Sequence, residues 1–229
     1  MSTAVDWAGN VYVGDWSGLV RKVWAGNGGV TIVAGIGIRG YSGDGVQATN
    51  AMPGKVPGIA LDAAGNIYIA DVDNNRIRRI DATTGIVETL AGPNAVTLPS
   101  AVAIDAGGNV YFSTAWTHIQ KIAAGTGAIE TVAGQTGTGF GGDGGPALGA
   151  KFWDPVPSAV VANGDIYVAD YENSRIRMIA ASTDIVNAVA GSGTCSPAPF
   201  PGARSVRAAS SAMAVPLFPR RSARRPVSA

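Results

Sequence analysis

Short apolar runs alternate with polar turn segments along this chain, and residues 58–92 show the pattern most clearly. Residues 66–70 (NIYIA) are rich in β-branched and aromatic side chains, which is typical of a strand covered on both faces. Turn-forming Asp and Asn residues follow, and residues 76–80 (RIRRI) return with charged and apolar side chains, as expected of a strand nearer solvent. Residues 58–62 and 86–91 supply two more strands. The pattern therefore predicts a four-stranded antiparallel meander.

Versions of this meander recur at about residues 2–35, 58–92, 99–134 and 157–191. The equivalent positions Asn10, Asn66, Asn109 and Asp165 lie 56, 43 and 56 residues apart (66 − 10, 109 − 66, 165 − 109). Every second copy is thus 99 residues away (109 − 10), so the larger repeat is a pair of units. Meanders repeated at a fixed period are typical of β-propeller blades. We therefore predict an all-β propeller domain over residues 2–194, with four blades visible.

Two long connections, ahead of the second and fourth blades, carry GYSGDG at residues 40–45 and GFGGDG at residues 139–144. Asp143 follows Asp44 by 99 residues (143 − 44), so the connections share the two-blade period. The same two blades have the longer hairpin. There we expect an aspartate to pin the turn by bonding an asparagine three residues later, Asp71 with Asn74 and Asp170 with Asn173.

Two blades and their connections combine distinctive residues: AGNIYIADVDNNRIRRI at residues 64–80, NGDIYVADYENSRIRMI at residues 163–179, and the linkers that begin at Ala34 and Ala133. This combination resembles the NHL-repeat β-propellers and covers about residues 2–194. The resemblance implies a fold more than an activity. Members of the family serve as ligand-binding, protein-interaction or RNA-reading modules and, in one branch, as metal-dependent lyases.

The number of blades departs from the family pattern. Propellers of this family usually have about six blades, within the range known for propellers, whereas four are visible here. A partial ring leaves the faces and edges of its terminal blades uncovered. We therefore expect self-association through these surfaces.

Composition agrees with an all-β fold, since 46% of the 229 residues are hydrophobic, 14% are charged and 32 are glycine. The single cysteine, Cys195, excludes an internal disulfide. No apolar run approaches the roughly 20 residues that cross a bilayer, and the first residues lack a signal-peptide pattern. The sequence therefore indicates no particular compartment.

Charge divides the chain in two. Residues 1–194 carry 11 Lys and Arg against 16 Asp and Glu (11 − 16 = −5), whereas residues 195–229 carry six arginines and no acid. The composition of this Ala/Pro/Ser/Arg-rich tail predicts disorder, as a solvated linker, as the altered end of a truncated gene product, or as a basic arm for nucleic acid or anionic lipid. The net negative propeller disfavours nucleic acid as its partner. We expect its strand arginines to lie on solvated faces, namely Arg76, Arg78, Arg79, Arg175 and Arg177.

Few residues suit catalysis. His118 is the only histidine, and its place in a hairpin predicts an exposed turn residue rather than a proton-transfer group. The zinc of the lyase branch would require several His or Cys ligands, which this sequence does not supply. Asp44 and Asp143 are weak calcium candidates, because carboxylates and backbone carbonyls suit that ion. The alternative is that each Asp-Gly pair simply forms a turn.

The connection leading into a blade and the hairpin between its second and third strands emerge at the same end of an antiparallel meander. Long loops on a rigid scaffold commonly carry function, so we expect a protein or small ligand to bind at that end. The leading hypothesis is a non-catalytic binding module, and the alternative is a propeller lyase or hydrolase with a loop-bound calcium. The candidate residues are Trp16, Tyr41, Asp44, Asp73, Asn74, Trp116, His118, Phe140, Asp143, Glu172 and Asn173.

Overall fold

The computed structural model describes residues 1–193, and nearly all of their regular structure is β-strand. Blade 1 contains β1 Ser2–Val5, β2 Val11–Gly14, β3 Val20–Val23 and β4 Val30–Ala34. Blade 2 contains β5 Gly58–Leu61, β6 Ile67–Asp71, β7 Arg76–Ile80 and β8 Val87–Ala91. Blade 3 contains β9 Val102–Ile104, β10 Val110–Thr114, β11 His118–Ile122 and β12 Ile129–Ala133. Blade 4 contains β13 Gly145–Pro146, β14 Pro155–Val160, β15 Ile166–Asp170, β16 Arg175–Ile179 and β17 Ile185–Ala190.

Helical structure is limited to short 3-10 helices at Ala48–Asn50, Ala147–Gly149 and Tyr171–Asn173. Within residues 1–193, none of the helices has the length and apolar character needed to cross a membrane. The predicted disordered tail at residues 195–229 lies outside the described residues.

The four blades are antiparallel sheets in which consecutive strands pair, except that β13 of blade 4 pairs with β17. This arrangement confirms the predicted all-β fold of four meanders. In blade 2, for example, Asp71 pairs with Arg76 beside the hairpin and Ile67 pairs with Ile80 at the other end. In every blade the pairing of the third and fourth strands shifts register once, as it does in blade 2 between Ile77 and Arg78. Such a shift bends the outermost strand.

The long connections also cover the outer edges of the blades that they precede. In blade 4 the short strand β13 pairs with β17, and the Gly144 amide donates to the Val186 carbonyl at 2.9 Å. In blade 2 the Gly45 amide donates to the Val87 carbonyl at the same distance. An outer strand presents unpaired backbone groups unless something covers it. The glycine-rich connections therefore protect the outer edges of blades 2 and 4.

The core consists of apolar layers between successive blades. Alternate side chains of a strand point to opposite faces, so in blade 2 Ile69 packs towards blade 1 while Tyr68 and Ile77 pack towards blade 3. A third layer joins blades 3 and 4, where Ile119 meets Val168. Burial on both faces explains why the strand sequences are continuously apolar.

The turn between the first and second strands is held by one aspartate in blades 1, 2 and 3. In blade 2 the Asp62 carboxylate accepts hydrogen bonds from the Asn66 amide at 2.9 Å, the Asn66 side chain at 2.7 Å and the Tyr68 hydroxyl at 3.0 Å. In blade 3 the corresponding carboxylate of Asp105 accepts from the hydroxyl of Tyr111 at 3.2 Å. Burial and this carboxylate raise the pKa of Tyr111 to about 12. These aspartates therefore stabilise the turns at this end of the blades.

Candidate functional site

The hairpin end is defined here as the end of the blades formed by the hairpins between second and third strands and by the long connections. In blade 2 the side-chain amide of Asn74 donates to the Gly40 carbonyl at 2.7 Å and to Asp71 at 2.9 Å. In blade 4 the amide of Asn173 donates to the Gly139 carbonyl at 2.7 Å and to Asp170 at 2.8 Å. The expected aspartate–asparagine bond is thus present in both hairpins. The same asparagine also ties the hairpin to the connection.

The aromatic residue of each connection stacks on an arginine of the adjacent blade. The Arg76 guanidinium lies 3.9 Å from the centre of the Tyr41 ring, and that of Arg175 lies 3.8 Å from the centre of the Phe140 ring. Both rings remain more than 40% exposed. A guanidinium over an aromatic face stabilises the arrangement, so Tyr41 and Phe140 are fixed at the hairpin end.

Asp143 is bonded to a buried arginine. Its Oδ1 lies 2.6 Å from Nη2 and 3.0 Å from Nε of Arg177. The guanidinium also donates to the carbonyls of Gly141 at 2.9 Å and Lys151 at 2.7 Å, and its Nη1 lies 3.4 Å from Asp170. The arginine side chain is completely buried. One arginine thus connects both ends of the long connection to the hairpin of its blade.

Blade 2 repeats the arrangement with fewer bonds. Nη2 of Arg78 lies 3.2 Å from Asp44 and donates to the Ser42 carbonyl at 2.9 Å, while Nη1 lies 3.7 Å from Asp71. Thr89 donates a further hydrogen bond to Asp44 at 2.9 Å. Arg78 is also completely buried.

The burial of Arg78 and Arg177 corrects the expectation that these strand arginines lie on solvated faces. A charged side chain is buried at acceptable cost only when it is paired and hydrogen-bonded, and the aspartates and carbonyls of the connection supply these partners. Burial raises the pKa of Asp71 and of Asp170 above the usual value, against hydrogen bonds from the asparagines and the nearby guanidinium groups, which lower it.

The same contacts decide how well Asp44 and Asp143 suit calcium. Each carboxylate already lies against a guanidinium, and a second cation there would meet like-charge repulsion. Among residues 1–193, no group of three or more His, Cys, Asp or Glu side chains could hold a metal ion. The residues present therefore do not fit a calcium ion. Nor do the two aspartates simply cap local amides, as the turn interpretation would have them.

His118 differs from its prediction as an exposed turn residue. It is the first residue of β11 and is half-buried, and its Nδ1 lies 2.7 Å from the hydroxyl of Thr117. Thr117 is itself buried, and its hydroxyl donates to the Ala115 carbonyl at 3.4 Å. The Thr117 amide donates to the Thr114 carbonyl at 3.3 Å and closes the hairpin of blade 3.

The tryptophans of the odd-blade hairpins lie beside the segments that lead into the even blades. The Asp154 amide donates to the Trp116 carbonyl at 2.9 Å, and the Val56 amide donates to the Asp15 carbonyl, next to Trp16, at 2.9 Å. The side chains of Trp16 and Trp116 are 55% and 43% exposed. Both tryptophans thus lie at the hairpin end, as expected from the strand order.

Trp153 also lies at this end and was not among the candidate residues. Its amide donates to Asp170 at 2.9 Å, its carbonyl accepts from the Glu172 amide at 3.2 Å, and its side chain is 45% exposed. Blade 2 has Gly54 at the equivalent position (153 − 99 = 54). This replacement of glycine by a large aromatic residue is the signal in the sequence that could have identified Trp153.

The candidate residues fall into two groups, and four positions of the first group have a counterpart 99 residues later in the second, namely Tyr41, Asp44, Asp73 and Asn74. One group, around the hairpins of blades 1 and 2, contains Trp16, Tyr41, Asp44, Asp73 and Asn74. The other, around the hairpins of blades 3 and 4, contains Trp116, His118, Phe140, Asp143, Glu172 and Asn173, together with Trp153.

The architecture is that of β-propeller blades, and the sequence profile of the NHL repeat matches residues 58–80 and 152–177. The first match spans β5, β6 and β7, and the second covers the equivalent region of blade 4. The chain therefore carries NHL repeats in blades 2 and 4.

Solved structures share this fold. Virginiamycin B lyase from Staphylococcus aureus matches with a TM-score of 0.53 and 17% identity, over 82% of this chain and 54% of the lyase. A protein of unknown function from Bacteroides thetaiotaomicron matches with a TM-score of 0.59 and 21% identity, over 83% of this chain and 47% of that protein. The chain spans about half the length of these structures. At such identities the likeness establishes the fold alone.

A curated relative has a higher identity over a shorter stretch. Protein SUPPRESSOR OF QUENCHING 1, chloroplastic, from Arabidopsis thaliana is 30% identical over an alignment of 133 residues, and the match covers 49% of this chain and 12% of that protein. The chain is thus similar to a small part of a much longer protein.

Proposed function

We propose that this protein is a non-catalytic binding module that takes up a partner protein at the hairpin end. The observation that carries the proposal is the exposure of Trp16, Trp116 and Trp153 in segments whose backbone is fixed by hydrogen bonds at or next to the tryptophan. Tryptophan dominates the energetics of many protein interfaces, because it buries a large area and loses little conformational entropy.

The hairpin end combines a rigid part with an accessible part. The asparagine and arginine contacts fix both long connections to their blades. A surface that is already ordered loses less entropy when it binds a partner. The carboxylates of Asp44 and Asp143 serve this internal bonding, so the partner contacts fall to the tryptophans and to the exposed side chains of Asp73 and Glu172.

The enzyme alternative has less support from the geometry. Two cavities, of about 220 and 350 Å³, lie on blade 4 beside Ile176 and Arg175 and between blades 2 and 3 beside Tyr68 and Arg79. Neither is lined by a tryptophan, a histidine, a cysteine or a carboxylate. The serine and tyrosine hydroxyls in these linings need an adjacent general base to act as nucleophiles, and the linings supply none.

The experiment is a matched comparison of protein capture from a lysate of the source organism. The test variant replaces Trp16 and Trp116 by Ala, and the control replaces Trp7, which is 95% exposed in the turn between β1 and β2 at the opposite end. The expected result is a protein that binds the unchanged chain and the control with equal affinity in calorimetry. Its affinity for the test variant should fall at least about tenfold, as is typical when central interface tryptophans are truncated.

Circular dichroism and the melting temperature of each variant establish that the variants remain folded. Equal affinity of the captured protein for all three chains contradicts the proposal, and so does a loss that follows Trp7 instead of Trp16 and Trp116. If a small molecule binds at the tryptophans and no protein does, the proposed binding site is correct and the proposed class of partner is wrong.

A further inference from the structure

Blade 4 has a face with no neighbouring blade among residues 1–193, and this face repeats a face that is covered elsewhere in the chain. The side chains of blade 2 that pack on blade 3 include Ala60, Tyr68, Ala70, Ile77 and Ala91, all of them buried. At a distance of 99 residues, blade 4 has identical residue types at every one of these positions, namely Ala159, Tyr167, Ala169, Ile176 and Ala190.

The equivalent side chains differ in exposure rather than in type. Ile77 is completely buried, whereas Ile176 is 38% exposed, and the buried Ala91 corresponds to an exposed Ala190. Val189 is 49% exposed, whereas its counterpart Leu90 (189 − 99 = 90) is half-buried between blades 2 and 3. A shallow cavity of about 220 Å³ lies on this face, lined by Ala169, Ile176 and Ala190 among others. Blade 4 therefore presents the apolar surface on which, inside the chain, the next blade packs.

Blade 1 presents the complementary surface. The side chains of blade 3 that pack on blade 2 include Val102, Val110, Phe112 and Ile122, with Ile104 and Ile129 at their margin. The positions 99 residues earlier are Thr3, Val11, Val13, Val23, Val5 and Val30. Val5 and Val30 are 47% and 59% exposed, and the other four are half-buried. Five of the six positions thus remain apolar, on a sheet face that no other blade within residues 1–193 covers.

We propose that the blade 4 face of one molecule docks on the blade 1 face of a second copy of this chain, repeating the junction between blades 2 and 3. A second copy is the expected partner because the internal junction joins an even blade, blade 2, to an odd blade, blade 3. The two open faces likewise belong to an even blade, blade 4, and to an odd blade, blade 1. A contact between two different faces is heterologous and produces a closed ring or an open chain of copies. Two copies joined twice would place eight blades in one ring, within the roughly four to eight blades of known propellers.

The proposed junction between molecules differs at one position from the internal junction between blades 2 and 3. Gly58 of blade 2 approaches blade 3 so closely that a Cβ atom there would lie 2.7 Å from Cα of Ala101. In blade 2 Gly58 pairs with Ala70, whereas a bulge in blade 4 pairs Val156 with Ala169, the equivalent of Ala70, and Pro157 with Val168. A half-buried valine therefore occupies the place of the glycine. Its side chain holds the innermost strands of the two molecules farther apart, and the contact is carried by the second, third and fourth strands.

The test uses two double variants of the full chain, each of which places charge on one face. Ile176→Glu with Val189→Glu alters the blade 4 face, and Val5→Glu with Val30→Glu alters the blade 1 face. Since these side chains are exposed, both variants should fold, which circular dichroism verifies. Ile38→Glu, at an isoleucine that is 62% exposed in a long connection, is the matched control.

Light scattering coupled to size exclusion measures the mass over a wide range of protein concentration. The unchanged chain and the Ile38→Glu control should show masses above the 23.1 kDa of one chain, and each double variant alone should remain at 23.1 kDa. An equimolar mixture of the two variants should recover a species of twice that mass, because the intact blade 1 face of one meets the intact blade 4 face of the other.

Three results would overturn the proposal. An unchanged chain of 23.1 kDa at every concentration shows that no second copy docks. Self-association of either double variant that equals that of the control places the contact elsewhere. Failure of the mixture to associate, when the unchanged chain does, shows that the blade 4 face of one molecule does not dock on the blade 1 face of another.

Discussion

The guanidinium of Arg177 and the carboxylate of Asp143 lie 2.6 Å apart across 34 residues of sequence, and the arginine side chain is completely buried. Arg78 and Asp44 repeat the relationship at the same sequence separation and at 3.2 Å. In both blades the aspartate of the GDG sequence therefore holds a long surface connection to a buried cation. The motif stabilises the fold of the hairpin end, and the exposed tryptophans around it form the proposed binding surface.

Calcium should leave the stability unchanged. Each candidate carboxylate already lies against a guanidinium, and a ligand that does not bind the native state cannot stabilise it. We expect equal melting temperatures in calcium and in EDTA, measured by differential scanning calorimetry. A clear rise of the melting temperature with calcium, lost in an Asp44→Ala, Asp143→Ala double variant, would instead assign a cation to the GDG sequences.

The glycines that end the blades should differ in their tolerance of alanine. Gly134 has a φ of +97°, and a Cβ atom there would collide with the Thr117 carbonyl oxygen, whereas a Cβ atom at Gly92 would meet nothing within 4 Å. Gly134→Ala should lower the free energy of unfolding by about 2 kcal/mol or more. Gly92→Ala should change it by less than about 1 kcal/mol.

Urea unfolding of the two glycine variants provides the comparison. Equal losses of stability in both would contradict the different backbone environments at the ends of blades 2 and 3.

Tyr111 should ionise at a higher pH than an exposed tyrosine. Burial and the Asp105 carboxylate raise its pKa from 10.0 to about 12. The folded state therefore retains a proton that the unfolded state has lost between these pH values, so the free energy of unfolding falls as pH rises through this window. Absorbance titration should show one tyrosine that ionises near pH 12 and is missing from the Tyr111→Phe variant.

The stability of the Tyr111→Phe variant provides the second readout. Relative to the unchanged chain, it should lose less stability between pH 10 and pH 12. Parallel stability curves across this window would show that the tyrosine is not perturbed.

Local sequence patterns predicted the strands, the turns and the aspartate–asparagine bonds of the hairpins, because these features depend on residues close together in the sequence. The bond from Asn74 to Asp71 spans three residues, and its presence follows from turn chemistry alone. The burial of Arg78 was missed for the opposite reason. An arginine beside apolar residues in a strand is usually solvated, and the carboxylate that covers it lies 34 residues earlier.

In the candidate site, too, the features set by local sequence were predicted and those set by distant contacts were missed. The strand order placed Trp16 and Trp116 at the hairpin end correctly, since successive loops of a meander alternate between its ends. Trp153 was missed, because it lies in a segment without regular structure whose position is set by hydrogen bonds to two different hairpins. The half-burial of His118 was missed likewise, because this residue begins strand β11 and pairs with Thr114 across the hairpin.

A double-mutant cycle on Asp143 and Arg177 tests most directly whether the hairpin end is divided into a structural and a binding part. Asp143→Ala leaves a buried cation without its main partner, so it should cost about 3 kcal/mol of unfolding free energy. Arg177→Met combined with Asp143→Ala should recover part of that loss, with a coupling energy of about 1 to 3 kcal/mol in urea unfolding. An Asp143→Ala variant as stable as the unchanged chain, with no coupling to Arg177, would contradict the structural assignment and return this carboxylate to the binding surface.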